Sequence, residues 1–263
     1  MNTIDLRLPA KAPVHFQGPS EWNEVTPRQW LQWVRWQTDL EGAMAGRFLL
    51  LQLWFGLKFR TLRLLDEAQQ LRLLELLDWT DRHPSRWMLP VIWIRGRRWV
   101  GPGDQLEHLT FGEFVFAEAA RTRYQAAPSR EDLEELAAIL YRPARWPWQH
   151  PGEGGRSRFD RHQLEGHRGR MAALPAAILK GTLINYLGAL EQLPRAFPHL
   201  YKGSGSSDQT SGSWLDVGLQ MARQTTAFGS YHQLENTNLY LVLTTLDAML
   251  KENEDLERKL KER

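Results

Sequence analysis

The chain has 263 residues, of which 42% are hydrophobic and 24% charged, so it is long enough and apolar enough to bury a core. Its 33 basic and 31 acidic residues leave a net charge of +2, which argues against a broadly cationic surface that binds nucleic acid by counterion release. It contains no cysteine, which excludes disulfides, thiolate metal sites and cysteine nucleophiles, and fits an intracellular protein. The longest apolar stretch, residues 48–57, is half of what spans a bilayer, and the first residues do not have the pattern of a secretory signal.

The amino-terminal part is expected to be an arm followed by helices. Residues 1–19 carry three prolines and are predicted to form an extended arm, with a short strand over 3–8. A main helical domain is expected over residues 20–202. Within it, apolar residues at helical spacing predict helices near 27–38, 43–58 and 66–79.

Twelve tryptophans are the unusual number in this composition. After Thr26 and Pro27, an N-cap and a first-turn proline, the residues Trp30, Trp33 and Trp36 recur every three positions on a slowly drifting helix face. No dense basic patch lies among them, so packing in a core or against a partner is favoured over stacking on nucleic-acid bases. As a partner surface, this segment would present Trp22, Trp30, Trp33 and Trp36.

A β-hairpin is predicted near residues 91–100. The run Val91-Ile-Trp-Ile94 is typical of a strand, and Arg95-Gly96-Arg97-Arg98 is typical of a tight turn into a second strand at Trp99-Val100.

Two capped helices follow the hairpin. Thr110 and Glu113 have the spacing of a capping box, which predicts a helix over residues 110–124. Ser129 repeats the start signal for a second helix over 131–141, which Pro143 ends. A long apolar helix is expected over 174–193. These patterns predict packed helices and give no reaction centre.

The run Thr110-Phe-Gly-Glu113, the run Ala137-Ala-Ile-Leu-Tyr-Arg-Pro143, the segment Arg156-Ser-Arg-Phe159-Asp160 and the segment Trp22-Asn-Glu-Val-Thr-Pro27 carry a family likeness. Together they resemble a group of uncharacterised proteins encoded in phages and prophages of Bacteroidota-like bacteria. The resemblance covers roughly residues 20–247. It implies a place in phage particle assembly, as a tail-assembly factor or chaperone or as a minor structural component of a tail-like particle. The protein would then lie in the cytoplasm of the bacterial host or in the assembled particle, with particle components as partners.

A basic segment follows the second capped helix and offers an alternative function. Its arginines would form an anion-binding or nucleic-acid-binding loop, with possible help from Arg95, Arg97 and Arg98. Acidic residues lie among them, so a solvated loop with internal ion pairs is favoured. The arginines of this segment are Arg156, Arg158, Arg161, Arg168 and Arg170.

The carboxyl-terminal part is predicted to be a flexible linker over residues 203–213 and a helical pair over 214–263, because the linker is rich in glycine and serine. Apolar positions step by three and four residues along the last helix, as in a coiled coil, and Asn253 lies at a seam position that fixes register. In a parallel dimer Glu252 and Glu257 would repel each other, which favours an antiparallel pair, a higher oligomer or a foreign helix. The alternative is an ordinary terminal helix with a frayed end. The seam is Leu239, Val242, Leu246, Met249, Asn253, Leu256 and Leu260.

The sequence contains no motif that predicts a phosphate-binding loop, a metal site or a catalytic nucleophile. The glycine-rich run at 152–155 lacks the lysine and hydroxyl of a phosphate-binding loop, and His162 and His167 do not have the spacing of a helical metal pair. No Gly-x-Ser-x-Gly motif occurs. The sequence therefore predicts no catalytic, cofactor or metal residue. We expect a mainly α protein, a helical bundle-like body with one small β-hairpin and a coiled-coil-like last helix, that acts without catalysis and exposes apolar helix surface to partners.

Overall fold

The computed structural model describes residues 1–6, 14–39, 44–145, 153–202, 214–224 and 230–261. The helices are α1 (Pro27–Asp39), α2 (Met44–Phe55), α3 (Phe59–Leu62), α4 (Glu67–Glu75), α5 (Phe111–Ala126), α6 (Arg130–Leu140), α7 (Leu164–Met171), α8 (Ala176–Leu190), α9 (Leu193–Ala196), α10 (Trp214–Gln224), α11 (Tyr231–Glu235) and α12 (Leu239–Lys261). The strands are β1 (Asn2–Leu6), β2 (Val14–Gly18), β3 (Val91–Ile94), β4 (Arg97–Val100) and β5 (Arg142–Pro143). The prediction of a mainly α fold is confirmed.

Capping residues determine where the central helices begin. The Thr110 hydroxyl accepts the Glu113 backbone N–H at 3.3 Å, and the Glu113 carboxylate accepts the Thr110 backbone N–H at 2.9 Å. This is the predicted capping box at the start of α5. The Ser129 hydroxyl accepts the Asp132 backbone N–H at 3.1 Å and starts α6, which ends three residues before Pro143.

The amino-terminal segment is a hairpin and not the predicted extended arm. β1 pairs antiparallel with β2, with Asn2 opposite Gly18 and Leu6 opposite Val14, and Ile4 is buried. The prediction of an arm was wrong because the prolines do not interrupt a strand. In the sequence, two of them lie between β1 and β2, and the third directly follows β2. Residues 7–13 lie outside the described part of the chain.

The chain divides into two compact units. The first comprises Met1–Met88 and Pro175–Gly188, and the second comprises Leu89–Leu174 and Ala189–Arg263. This differs from the predicted single domain over residues 20–202, because α8 belongs with the amino-terminal helices and the last helices belong with the middle of the chain. Sequence periodicity does not show which distant helix will cover an apolar face.

Tryptophan rings form the core of the first unit. Trp30 and Trp33 on α1 stack with ring centroids 5.0 Å apart, and Trp22 contacts both edge-on. Trp54 on α2 stacks on Trp79 with centroids 5.7 Å apart, and Trp22 contacts Trp79 as well. The rings therefore link α1, α2 and the turn after α4 by large apolar contacts.

Two further contacts hold the helices of the first unit together. A Cβ at Gly46 would lie 1.5 Å from the Trp36 ring, so only glycine allows α1 and α2 to approach this closely. Asn185 on α8 accepts the Met88 backbone N–H at 3.1 Å and donates to the Arg86 carbonyl at 2.9 Å. These bonds tie the middle of α8 to the segment that ends the amino-terminal part.

The second unit contains the predicted β-hairpin. β3 and β4 pair with Val91 opposite Val100 and Trp93 opposite Arg98. β5 adds a third strand along β4, which the sequence analysis missed because it is only two residues long. The helices α5, α6 and α7 pack together in this unit.

The last part of the chain contains α10, α11 and α12, where the sequence predicted a pair of helices. The predicted linker, residues 203–213, lies outside the described residues. α12 is one continuous helix of 23 residues, and its first residue donates its backbone N–H to the Leu109 carbonyl at 2.8 Å.

Candidate interaction sites

The second unit is organised around a buried group of charges. Glu113, in addition to capping α5, accepts a hydrogen bond from Arg156 at 2.9 Å, and both side chains are 3% exposed. Arg156 also donates to the His108 carbonyl at 2.6 Å and to the Leu140 carbonyl at 2.9 Å. A single arginine therefore joins the start of α5, the end of α6 and the turn before α5.

A second arginine lies in the same group, farther from the Glu113 carboxylate than Arg156 does. Arg142 is 1% exposed, and its Nε lies 3.9 Å from the Glu113 carboxylate. It donates to the Arg158 carbonyl at 2.6 Å and lies over the Phe159 ring at 5.0 Å. Burial lowers the pKa of Arg142 to about 10, so the side chain remains charged at neutral pH.

The same surroundings keep His167 neutral. This side chain on α7 is buried and contacts the Trp99 ring edge-on at 5.1 Å. Burial, followed by the positive charges of Arg142, Arg170 and Arg97, lowers its pKa to about 4. His167 therefore contributes no positive charge near neutral pH, and His162 is a separate exposed residue that the structure does not bring into a metal pair with it.

The arginines predicted as an anion-binding loop have different surroundings. Arg156 is buried in the charge group, which corrects the expectation that it faces a ligand. Arg158 donates to the Asn236 side chain at 2.9 Å, and Arg168 pairs with Glu131 and Glu165. Arg170 lies over the Trp99 ring at 6.0 Å. Arg161 is exposed, and no ion pair joins it to another described residue. The five side chains therefore do not form one basic surface.

Arg161 instead lies where two cavities adjoin. The more polar cavity has a volume of about 510 Å³, and the more apolar one, between α5, α10 and α11, has a volume of about 670 Å³. Arg161 and Glu235 line both. The polar cavity is otherwise lined by Ser157, Arg158, Phe159, Asp160, His162, Gln163, His232 and Asn236. The apolar cavity is otherwise lined by Val115, Phe116, Glu118, Ala119, Arg121, Thr122, Arg123, Trp214, Leu215 and Tyr231.

The close approach of α11 to α5 positions this pair of cavities. A Cβ at Gly112 would lie 2.3 Å from the Glu235 Cγ, so the glycine in the Thr110-Phe-Gly-Glu113 run makes room for α11. The sequence did not predict the cavities. Its patterns indicate single helices, whereas α5, α11 and the 157–163 segment come together only in the folded protein.

The predicted seam of α12 changes from buried to exposed along one helix. Leu239 and Val242 are fully buried, whereas Leu256 and Leu260 are 57% and 70% exposed. Bonds from the 197–202 segment hold α12 at Asp247 and as far along as Glu254. The Leu200 N–H donates to Asp247 at 2.8 Å, and Lys202 donates to Glu254 at 2.6 Å. Leu246 and Met249 are half-buried, and Asn253 is exposed.

The tryptophans predicted as a partner surface lie in the core. Trp22, Trp30, Trp33 and Trp36 are at most 9% exposed, which corrects the expectation that they present apolar surface to a partner. The apolar helix surface that the first unit does expose lies elsewhere, with Leu49 and Leu53 one turn apart on α2 at 41% and 45% exposed.

Among the tryptophans that the structure describes, Trp93 reaches the surface. Trp93 on β3 is 68% exposed and lies opposite the exposed Arg98 on β4. Arg95 and Arg97 flank the turn, and neither they nor Arg98 form an ion pair with another described residue. The hairpin tip therefore combines an aromatic ring with guanidinium groups.

The described part of the chain contains neither a group of metal-binding side chains nor a helix that could span a membrane. Among the described residues, no three histidine or acidic side chains are grouped so that they could hold a metal ion. No helix in the described ranges is both long and apolar enough to cross a bilayer. Comparison with protein-family models, curated proteins and solved structures found no match for this chain.

Proposed function

We propose that this protein is a non-catalytic assembly or interaction component that self-associates through the distal half of α12. The observation that carries the proposal is the course of the seam: the face that packs against the second unit at Leu239 runs along one continuous helix, with Asn253 as its polar position, to Leu256 and Leu260, which are exposed. Exposed leucines repeating at this spacing are typical of a surface that another helix covers.

The charges along α12 favour an antiparallel partner copy. The segment 252–257 contains four carboxylates, and the segment 258–261 contains three basic residues. When two copies pair in opposite directions about Arg258, Asp255 lies level with the partner's Lys261 and Glu257 lies level with the partner's Lys259. A parallel pair would set like charges at the same height, which costs stability.

The length of the exposed seam predicts weak association. The stretch from Met249 to Lys261 is about 18 Å long at the rise of an α-helix. Helices of this length form stable pairs only with additional contacts, so we expect a concentration-dependent equilibrium and not a permanent dimer.

Sedimentation velocity over a range of concentrations tests the proposal. The full chain is expected to show a rising weight-average mass, and Leu256→Ser with Leu260→Ser is expected to remain a monomer throughout. A chain ending at Asp255 keeps the bonds to Glu254 and is also expected to be monomeric. The matched control, Leu241→Ser with Lys251→Ser, changes exposed side chains of α12 that do not belong to the seam and should associate normally. The same degree of association in all four proteins, at every concentration, would overturn the proposal.

The sequence resemblance supplies the biological setting of this proposal. A tail-assembly chaperone, or a minor structural component of a tail-like particle, would use reversible helix pairing to hold or deliver its partners. Co-purification with tail or capsid proteins that depends on Leu256 and Leu260 would support this setting.

A second candidate function is binding of single-stranded nucleic acid at the hairpin tip. Trp93 offers a ring on which a base can stack, and Arg95, Arg97 and Arg98 offer cations to the backbone. This moves the alternative function from the arginine loop, where Arg156 is buried, to the hairpin. Fluorescence anisotropy with a labelled oligothymidine tests it: binding should weaken with salt and with Trp93→Ala. No binding at low salt would dismiss this candidate.

A further inference from the structure

The apolar cavity of the second unit is open to solvent but lined by side chains that favour an apolar ligand. Val115, Phe116 and Ala119 line it from α5, and Trp214 and Leu215 line it from α10. Its volume of about 670 Å³ lies within the range of small-molecule sites in proteins. A ring system of one or two rings would displace water from these walls and fit the available space.

The arginines around this cavity differ in whether they form ion pairs with neighbouring carboxylates. Arg121 donates to Glu118 at 2.9 and 2.8 Å, and Arg123 pairs with Asp132 and Glu135. Their guanidinium groups are therefore already neutralised by neighbouring carboxylates.

Arg161 is the exception among the arginines that line the cavity. No ion pair joins it to any described residue, and it is shared by the apolar cavity and the polar one beside it. Glu235, the other shared residue, is 12% exposed on its side chain and lies 3.8 Å from the His232 ring. Glu235 is thus mostly buried whereas Arg161 is exposed, so the charged group that a ligand can reach most readily at the junction is a cation.

We propose that this pair of cavities binds a small amphipathic carboxylate. The apolar part of the ligand lies between α5 and α10, and its carboxylate receives hydrogen bonds from the Arg161 guanidinium at the junction. A guanidinium binds a carboxylate through two parallel N–H groups, which fixes the orientation of the ligand as well as its charge. This site does not involve the seam of α12, so it is independent of the self-association proposed above.

A dye with the required chemistry provides a direct test. The fluorescence of 8-anilinonaphthalene-1-sulfonate, an aromatic anion, is titrated with the full chain, and the dye is then displaced by 1-naphthaleneacetate or by its neutral amide. We expect the acid to compete about tenfold more strongly than the amide, because a hydrogen bond between charged groups is lost with the amide. Equal competition by acid and amide, or no displacement by either, would overturn the proposal.

Variants identify the site. Arg161→Gln should weaken dye binding about tenfold and remove the preference for the acid, whereas Arg161→Lys should keep part of that preference. Ala119→Trp adds a large ring at an exposed position of α5 that lines the cavity, and it should block both competitors. The matched control Arg195→Gln removes an exposed arginine elsewhere in the same unit that lines neither cavity, and it should bind normally. Circular dichroism confirms folding, and unchanged binding in Ala119→Trp would show that the dye lies elsewhere and would refute the site.

Discussion

The two units bury different kinds of side chain at their centres. The first packs tryptophan rings against one another, whereas the second packs two arginines around one carboxylate. Ring packing is non-directional, so the loss of one contact leaves the others in place. The charge group is directional, because removing Glu113 takes away the carboxylate that pairs with the buried Arg156 and lies 3.9 Å from the buried Arg142. The two cores should therefore respond differently to conservative substitutions.

The largest effect is expected from Glu113→Gln. This change keeps the shape of the side chain but removes the carboxylate charge that accepts a hydrogen bond from Arg156 at 2.9 Å, and it should lower the free energy of unfolding by about 3–5 kcal/mol. Urea unfolding measures the loss, and hydrogen exchange should place the lost protection in the second unit. The matched control Glu131→Gln removes an exposed carboxylate and should cost no more than about 1 kcal/mol.

A double substitution checks that the charge itself is responsible. Glu113→Gln with Arg156→Gln should cost less than the sum of the two single changes, because either single change already removes the ion pair between the two side chains. Additive losses, or a cost below about 1 kcal/mol for Glu113→Gln, would show that the charge group behaves like an ordinary polar contact.

An intermediate effect is expected from pH, through His167. Its pKa is about 4 in the folded protein and 6.5 ordinarily, so between these values the unfolded chain binds a proton that the folded chain does not. The free energy of unfolding should therefore fall as the pH drops from about 6.5 to about 4, by about 3 kcal/mol at most, with no further loss from this group below that range.

Comparison with His167→Phe isolates this contribution, since carboxylates also titrate in the same range. Phenylalanine keeps the ring contact with Trp99 and has no titrating group. The difference in unfolding free energy between the two proteins should change with pH only between about 6.5 and 4. A constant difference across that range would show that His167 is not held neutral. Arg142, Arg170 and Arg97 oppose its protonation, and Asp160 favours it.

The sequence predicted those parts of the fold that depend on neighbouring residues. Thr110 and Glu113 form the predicted capping box, and the Val91 to Val100 run forms the predicted hairpin, because caps and tight turns are decided within a few positions. The six helices α1, α2, α4, α5, α6 and α8 also lie close to their predicted bounds, whereas α7 lies in the segment that was predicted to be an arginine-rich loop. The division into two units was not predicted, because it depends on α8 packing with helices more than a hundred residues earlier.

The candidate sites were harder to predict from the sequence, because they too depend on contacts between residues that are far apart in the chain. Arg156 and Arg161 look alike in a basic segment, yet the first is buried against Glu113 and the second is exposed beside a cavity. The spacing of arginines contains no information about which of them meets a carboxylate 43 positions earlier in the chain. The α12 seam could be read from its period, but only burial shows that it passes from packed at Leu239 to exposed at Leu260.

The smallest effect is expected from Trp30→Phe in the first unit. Trp30 is fully buried, but its indole N–H has no hydrogen-bond partner among the described residues, so phenylalanine removes ring volume without breaking a polar contact. Losing an unpaired buried donor offsets part of the packing loss, and we expect a cost of about 1–2 kcal/mol in urea unfolding. Trp22→Phe is the matched comparison, because its N–H donates to the Arg82 carbonyl at 2.7 Å and its loss leaves that carbonyl unpaired. A larger cost for Trp30→Phe than for Trp22→Phe would show that ring shape, and not hydrogen bonding, sets the stability of the tryptophan core.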